Sequence, residues 1–349
     1  MTGRMTAAVL YGKEDVKIEQ VPIPRVDRGE VLIKVAVALT CGTDLKVFKR
    51  GYHARMITPP ALFGHELAGT IEEVGVDVRG FKSGMRVVAL NSAPCGRCFF
   101  CSRQQDNLCE DLLFNNGAYA EYIRVPRRIV EKNLLRIPDD TSFEAAAMTE
   151  PLACVTLGFE ESAVRPGDAV VVIGGGPIGL MFMQVAKISG CRVIAVVKRD
   201  QQVEAAHRFG AEHVVQLGST SDIVRTVRSF TRLEQGADAV IEAVGRPEAW
   251  QWAVAMARKG GTINFFGGCA HGTQVELDTN RIHYSALNMR STFHHTPGSV
   301  RRAFELLTNK TIRSTDYVTS EAPLSELLHV FEHMQARTED IKTAIRPGQ

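Results

Sequence analysis

Half of the eight cysteines lie within fifteen residues, in the stretch CGRCFFCSRQQDNLC. They are Cys95, Cys98, Cys101 and Cys109, with the spacing C-x2-C-x2-C-x7-C. Two disulfides, a redox pair or a metal site are the possible explanations. Adjacent disulfides in so short a loop would be strained, and a redox pair does not explain the third and fourth thiols. Because thiolates at this spacing bind zinc tetrahedrally, we expect a closed site that holds a loop.

A second group of metal-binding residue types lies in the stretches TCGTD, FGHELAG and TEPLAC. These stretches contain Cys41, His65, Glu66 and Glu150. A single cysteine or histidine is usually a packing or surface residue. A thiolate, an imidazole and carboxylates together, however, are the mixed ligands of catalytic zinc, which keeps one position open. We therefore expect a second, catalytic zinc site.

A third motif, GGGPIG, lies between an apolar strand and a helix-like segment. Glycines there permit a tight turn and let the backbone approach a pyrophosphate at the helix N-terminus. The expected cofactor-binding residues are Gly174, Gly176, Pro177, Ile178 and Gly179. A glycine-rich turn without a ligand is the alternative. The strand before the motif and the helix after it favour a dinucleotide site.

The segments that must position these residues follow two patterns. Up to about Pro151, short alternating segments such as EVLIKVAVAL, divided by Gly and Pro, indicate a β-rich domain. From about Arg165, apolar strands alternate with amphipathic helices, which predicts a doubly wound parallel sheet. Further helices are expected near 299–308 and 324–335. The predicted fold class is therefore α/β, and a chain of 349 residues is expected to form two domains.

Composition argues against nucleic-acid and membrane partners. The net charge of +2 comes from 41 basic and 39 acidic residues without long runs, which gives no basic face. The most apolar window, AVVVIGGGPIGLMFMQVAKI, has glycines and a proline at its centre that would break a spanning helix. The N-terminal segment lacks the pattern of a signal peptide. We therefore expect a cytoplasmic protein, and disulfides are rare in that compartment.

The order of these motifs resembles that of the zinc-dependent medium-chain dehydrogenase/reductase family, in particular its polyol (sorbitol) and threonine dehydrogenase-like branch. The resemblance covers nearly the whole chain, through CGTD, GHE, the four-cysteine segment, AYAEYIRVP, EPLAC, GDAVVVIGGGPIGL and IKTAIRP. It implies a GroES-like catalytic domain of residues 1–151 and 288–349. A Rossmann domain of residues 152–287 would interrupt it, with catalytic zinc in the cleft between the two.

Carried over by position, the resemblance implies that Cys41, His65 and Glu66 bind the catalytic zinc. Glu150 matches a residue that either binds this zinc or holds its water. The four clustered cysteines match the structural zinc site of the family. The other three cysteines have no counterpart role, and we expect them to be packing residues; they are Cys154, Cys191 and Cys269.

The chemistry implied is oxidation of an alcohol. Zinc would polarise the substrate hydroxyl and lower its pKa, with Glu66 and Glu150 as catalytic carboxylates. Thr43 would accept the hydroxyl proton and pass it towards solvent, and hydride would pass to a nicotinamide ring. Asp44 is instead expected to cap the helix that begins in DLKVFKRG.

Substrate contacts are expected at His294 and His295, where sorbitol dehydrogenases of this family carry an arginine–tyrosine pair. One of the histidines would then form a hydrogen bond with a hydroxyl of a polyol, cyclitol or secondary alcohol. A solvated pair of loop residues is the alternative. An L-threonine or amino-alcohol dehydrogenase, a zinc-independent reductase and a non-enzymatic zinc-binding module are alternative functions. The family also implies a dimer or tetramer that pairs Rossmann sheets through the last strand, near GGTINFFGG.

The strand RVIAVV and the residues after it bear on the choice between NAD and NADP. In this fold the second strand normally ends in an acidic residue that binds the adenosine ribose, about 20 positions after the glycine motif. Val197 stands at that position and is followed by Lys198 and Arg199. Two cations would pair with a ribose phosphate, so we expect NADP, with NAD as the alternative. Asp200 is expected to cap the next helix.

Overall fold

The computed structural model describes residues 3–53, 55–336 and 340–348. The strands in chain order are β1 (Arg4–Gly12), β2 (Asp15–Pro22), β3 (Val31–Leu39), β4 (Ala61–Leu62), β5 (Glu66–Val74), β6 (Arg86–Ala89), β7 (Ser92–Ala93), β8 (Leu113–Phe114), β9 (Tyr122–Val125), β10 (Leu134–Arg136), β11 (Ala169–Ile173), β12 (Arg192–Val197), β13 (His213–Gln216), β14 (Ala237–Glu242), β15 (Ala257–Phe265), β16 (Asn288–Arg290), β17 (Val318–Pro323) and β18 (Lys342–Arg346). The helices are α1 (Gly42–Arg50), α2 (Arg127–Asn133), α3 (Phe143–Ala147), α4 (Thr149–Glu161), α5 (Pro177–Ile188), α6 (Asp200–Arg208), α7 (Ile223–Ser229), α8 (Pro247–Met256), α9 (Thr279–Tyr284), α10 (Pro297–Thr308) and α11 (Leu327–Ala336).

The chain divides into two compact units. One is formed by Met1–Ala153 with His295–Gln349, and the other by Cys154–His294. The predicted Rossmann domain ends at residue 287, whereas the second unit continues to His294. This difference arises because β16 pairs in parallel with β15 and so extends the sheet.

The first unit is built on a sheet in the order β10-β6-β5-β3-β18-β17, with β9 also paired to β3. Strand β3 has the sequence VLIKVAVAL, and within it only Lys34 is exposed. Such an apolar, β-branched run suits a central strand that is covered on both faces. Its antiparallel partners β5 and β18 carry site residues, so this strand positions them.

The second unit has a six-stranded sheet in the order β13-β12-β11-β14-β15-β16. All of its strand pairs are parallel, as predicted from the alternation of strands and helices. The central strand β11, with the sequence AVVVI, is buried throughout. The order places β11 beside β12 on one side and β14 on the other, which is the arrangement of a dinucleotide-binding fold. The predicted fold class is confirmed.

The apolar window around the glycine motif forms β11, a turn and α5. In the part of the chain that the structure describes, no helix has the length and apolar character needed to cross a bilayer.

Candidate functional site

Three of the predicted zinc ligands come together at one edge of the first unit's sheet. Strands β3 and β5 are antiparallel, and Leu39 pairs with Glu66. The residues just after β3 and just before β5 therefore meet at the same edge. The ligand atoms of Cys41, His65 and Glu66 all lie within 4.8 Å of one another.

The imidazole of His65 is held by Asp44. The distance between Nδ1 of His65 and Oδ1 of Asp44 is 2.9 Å, and both side chains are buried. The hydroxyl of Tyr119 donates to the other carboxylate oxygen of Asp44 at 2.7 Å. Burial alone would lower the pKa of His65, but the negative charges of Asp44 and Cys41 raise it well above its ordinary value.

The prediction that Asp44 caps α1 is wrong. The N-cap residue is Cys41, whose Sγ accepts the backbone N–H of Thr43 at 3.4 Å. Asp44 lies in the first turn of the helix, and its carboxylate is occupied by His65 and Tyr119 instead. Thr43 lies beside Cys41 on the same turn and is partly buried.

Glu66 makes an ion pair with Lys342 that no sequence motif indicates. Nζ of Lys342 lies 2.7 Å from Oε2 of Glu66 and also donates to the backbone oxygen of Thr40. Both charged side chains are almost fully buried. Burial raises the pKa of Glu66, and the charge of Lys342 opposes this shift. The ammonium group therefore stabilises the ionised carboxylate of Glu66 beside Cys41 and His65.

Glu150 is also buried in the first unit, in the first turn of α4. The group of ligand atoms around His65 within the described residues does not include it. Burial raises the pKa of Glu150 to about 7, with smaller effects from His65 and Glu66. Glu150 therefore lies within electrostatic reach of His65 and Glu66.

The donor set fits zinc. A soft thiolate, an imidazole and a carboxylate converge, and Asp44 occupies Nδ1 of His65, which leaves Nε2 for a metal. Histidines that bind zinc usually form a hydrogen bond to a carboxylate through their other ring nitrogen, because this contact fixes the orientation and the tautomer of the ring.

The four clustered cysteines form a separate group with the geometry of a metal site. Sγ of Cys98 lies 3.6 Å from Sγ of Cys101 and 3.9 Å from Sγ of Cys109, and Sγ of Cys95 lies 4.0 Å from that of Cys101. Backbone N–H groups lower the pKa of Cys98 to about 6, which favours a thiolate. All eight cysteines lie in the described residues, and none is in a disulfide. Of the other three, Cys191 is buried.

The glycine motif of the second unit forms a turn that only glycine allows at two positions. Gly174 has a φ of +123°, and a Cβ on Gly179 would lie 1.9 Å from the backbone oxygen of Gly174. Gly176 is the N-cap of α5, and a Cβ there would have no neighbour within 4 Å among the described residues. Pro177 and Ile178 begin the helix. The turn thus leaves an open approach to the N-terminus of α5, where a pyrophosphate could bind.

The end of β12 matches its predicted position. Val197 is its last residue and is buried, whereas the next residue, Lys198, is exposed. Oε1 of Gln202 accepts the backbone N–H groups of Lys198 and Arg199, each at 3.1 Å, and so holds this loop. The prediction that Asp200 caps α6 is wrong, because the helix begins at Asp200 and Arg199 is its N-cap. Its carboxylate accepts from Nε2 of Gln216 at 2.6 Å.

The two predicted substrate histidines differ in their surroundings. His294 is partly buried, with a φ of +64°. His295 is buried, and its Nε2 lies 3.0 Å from Oδ1 of Asn91. The alternative of a solvated loop pair is therefore wrong for His295. Burial, with a smaller effect of His65, lowers the pKa of His295 to about 3.

Comparison with known proteins gives two family matches that together span most of the chain. Residues 27–139 match the alcohol dehydrogenase GroES-like domain, and residues 177–309 match the zinc-binding dehydrogenase domain. The chain is 30% identical to a sorbitol dehydrogenase of Bacillus subtilis, across 99% of this chain and 98% of that protein. It is 33% identical to an L-threonine 3-dehydrogenase of Bacillus subtilis, across 96% of each chain.

A solved structure from Sinorhizobium meliloti, described as a zinc-binding dehydrogenase bound to NADP, has the same fold. The TM-score is 0.91 at 29% sequence identity, and the match covers 99% of this chain and 100% of the other. The family matches, the full-length relatives and this structural likeness agree with the resemblance inferred from the motifs. The chain therefore belongs to the zinc-dependent medium-chain dehydrogenase family, in the branch of the polyol and threonine dehydrogenases, and it is an oxidoreductase.

Proposed function

We propose that this enzyme transfers a hydride between NADP and the hydroxyl-bearing carbon of a polyol, sugar alcohol or secondary alcohol. The observation that carries the proposal is the convergence of Cys41, His65 and Glu66, with Asp44 fixing the imidazole. A zinc site of this composition, on a chain with a dinucleotide-binding turn, suits alcohol oxidation.

In this proposal Cys41, His65 and Glu66 hold the catalytic zinc. Bound zinc would supply a Lewis acid that lowers the pKa of the substrate hydroxyl. Thr43 accepts the hydroxyl proton at its Oγ1 and passes it towards solvent. A nicotinamide cofactor, when bound, would supply the acceptor for the hydride of the hydroxyl-bearing carbon. Glu150, with a pKa of about 7, can hold or release a proton near neutral pH.

The preference for NADP is proposed on the residues that end β12. Val197 has no acceptor for the ribose hydroxyls, and the carboxylate of Asp200 is engaged by Gln216. Lys198 and Arg199 supply two cations where a ribose phosphate would lie. The Sinorhizobium meliloti relative, which is bound to NADP, supports this assignment.

The four clustered cysteines are proposed to hold a structural zinc. Four thiolates leave no coordination position for a substrate, so this site stabilises a loop and takes no part in the reaction.

A polyol or secondary alcohol is proposed as the substrate, with His294 and His295 as its contacts. The Bacillus subtilis relative named sorbitol dehydrogenase supports this class. L-threonine or another amino alcohol is the second candidate, because several of the similar proteins are named L-threonine 3-dehydrogenase.

We also propose a dimer or tetramer formed through the Rossmann sheet, in the cytoplasm. The edge strands of this sheet are β13 and β16, whereas the GGTINFFGG segment begins in β15, which lies between β14 and β16. The three residues of β16 are exposed, as expected for an edge that pairs with another chain. Sedimentation that shows only a monomer would contradict this part of the proposal.

The test of the proposed function is a screen of polyols, sugars, secondary alcohols and L-threonine with NADP and NAD. The zinc-loaded enzyme is expected to reduce NADP with at least one alcohol of the first three classes. A Cys41→Ala variant with normal unfolding behaviour is expected to be inactive. Turnover of L-threonine alone favours the second candidate, and activity that survives Cys41→Ala contradicts the zinc mechanism.

A further inference from the structure

Asn91 and His295 form a buried polar pair in the first unit. Asn91 follows β6, and His295 lies just before α10, yet the two side chains meet across a sequence separation of 204 residues. Each is only 2% exposed. The burial of polar side chains lowers the stability of a fold unless each hydrogen-bonding atom has a partner.

The contact defines the tautomer of His295. Oδ1 of Asn91 is an acceptor only, so Nε2 of His295, which lies 3.0 Å away, must carry the hydrogen. Burial keeps the ring neutral by lowering its pKa to about 3. In a neutral imidazole with Nε2–H, the other nitrogen carries a lone pair. Nδ1 of His295 is therefore an acceptor of hydrogen bonds.

The amide nitrogen of Asn91 supplies the complementary group. Within the described residues, Nδ2 of Asn91 is buried and has no hydrogen-bond partner. A buried donor without an acceptor beside a functional site indicates that a bound ligand supplies the hydrogen-bond acceptor. Strands β5 and β6 are antiparallel, and Ala68 pairs with Val88, so the residues just before β5 and just after β6 lie at the same edge of the sheet. Asn91 therefore lies at the edge that carries His65 and the candidate zinc site.

We propose that Asn91 determines substrate specificity, by fixing the tautomer of His295 and by donating its own amide N–H to a second hydroxyl of the substrate. This second hydroxyl is distinct from the one that is oxidised. A hydroxyl both donates and accepts, and so it matches an uncharged donor–acceptor pair. The inference rests on the proposed function, and it narrows the substrate class to uncharged alcohols with more than one hydroxyl group.

The first test is the tautomer, which needs no substrate. The zinc-loaded full-length enzyme is labelled with 15N-histidine, and the His295 signals are assigned by their loss in His295→Gln. The expected spectrum has a protonated Nε2 and an unprotonated Nδ1 at neutral pH. In Asn91→Leu, which has no acceptor, this preference is expected to disappear. A wild-type ring protonated at Nδ1, or a spectrum unchanged by Asn91→Leu, overturns the inference.

The second test compares an alcohol with and without the second hydroxyl, using butane-2,3-diol and butan-2-ol as probes. The wild type is expected to have the higher kcat/KM for the diol. Asn91→Leu is expected to lower kcat/KM for the diol roughly tenfold while butan-2-ol changes less than about twofold. Equal effects on the two alcohols indicate a merely structural role and overturn the inference.

Two further outcomes separate this inference from the proposed function. If the wild type oxidises no alcohol of the screen, the proposed function is contradicted and the substrate role of Asn91 fails with it, whereas the tautomer measurement still tests the contact between Asn91 and His295. If the wild type oxidises butan-2-ol as well as the diol, the proposed function stands and the inference fails. Asn91→Ala replaces Asn91→Leu if thermal unfolding shows that leucine does not fit.

Discussion

Oδ1 of Asp44 lies 2.9 Å from Nδ1 of His65, and both residues are buried. The hydroxyl of Tyr119 donates to the second oxygen of Asp44. This chain of hydrogen bonds fixes the ring of a candidate zinc ligand and leaves Nε2 for the metal. The precision of the site therefore depends on a residue that does not itself bind zinc.

Removal of this support should weaken the metal site. We expect Asp44→Ala to reduce zinc affinity or kcat/KM by roughly 10- to 100-fold, because the imidazole loses its orientation and its negative partner. Zinc retention against a chelator and kcat/KM are the measurements. Tyr119→Phe, which leaves the Asp44–His65 contact in place, is the matched control and should have a smaller effect. Wild-type zinc retention in Asp44→Ala would show that Asp44 does not support the site.

Two glycines of the dinucleotide turn should respond differently to alanine. In Gly179→Ala the Cβ would lie 1.9 Å from the backbone oxygen of Gly174, so the turn must shift. We expect a loss of about 1–3 kcal/mol in the free energy of unfolding. Gly176→Ala meets no neighbour within 4 Å among the described residues and should unfold like the wild type, but its methyl group should weaken cofactor binding. Denaturant unfolding and cofactor titration of both variants test this. An equally stable Gly179→Ala would contradict it.

Cofactor preference should reverse when the end of β12 is rebuilt. We expect the wild type to have a higher kcat/KM with NADP than with NAD. In the variant Val197→Asp, Lys198→Ala, Arg199→Ala, the carboxylate would repel the ribose phosphate and the cations would be absent. The loss of one charged contact, worth about 1.5–3 kcal/mol, already changes the preference tenfold or more. A wild type that favours NAD, or a variant whose preference does not move towards NAD, would show that these residues do not select the cofactor.

His295 should make stability depend on pH. Its pKa is lowered to about 3 in the folded state, against 6.5 as the ordinary value. On acidification, the unfolded chain binds a proton at His295 at a higher pH than the folded protein does. The contribution of the neutral ring to the free energy of unfolding is therefore complete above pH 6.5 and is lost as the pH falls towards 3. At about pH 5 the loss amounts to about 2 kcal/mol.

The measurement is denaturant unfolding at neutral pH and at about pH 5. From neutral pH to about pH 5, the free energy of unfolding should decrease less in His295→Gln than in the wild type, by about 2 kcal/mol. His329→Gln removes an exposed histidine of α11 and should behave like the wild type. A His295→Gln variant with the same pH dependence as the wild type would mean that the ring is not held neutral.

Features encoded by neighbouring residues were predictable from the sequence. The cysteine segment, the glycine turn and the strand–helix alternation are local patterns, and the structure has all three. Contacts between distant residues were not predictable. Lys342 lies 276 residues from Glu66, and only the pairing of β18 and β5 with β3 brings the two together. The contact between Asn91 and His295 likewise joins residues 204 positions apart.

Asp44 shows a different limit. An aspartate at the start of a helix is a common cap, so the local pattern favoured that role. The thiol of Cys41 already accepts the N–H of Thr43, and the carboxylate turns to His65 instead. A local pattern cannot reveal that a buried imidazole elsewhere in the chain competes for the same side chain.

We expect this chain to hold two zinc ions with separate roles, and the number of zinc ions per chain is the measurement that decides this. Zinc per chain is measured by mass spectrometry of the purified wild type and of Cys41→Ala, together with the oxidation of the best alcohol found. The wild type should contain two zinc ions per chain, and Cys41→Ala should keep the one bound by the clustered cysteines, unfold normally and lose activity. A wild type with one zinc or none, or an active Cys41→Ala variant that retains both, would show that the chain does not hold a catalytic and a structural zinc.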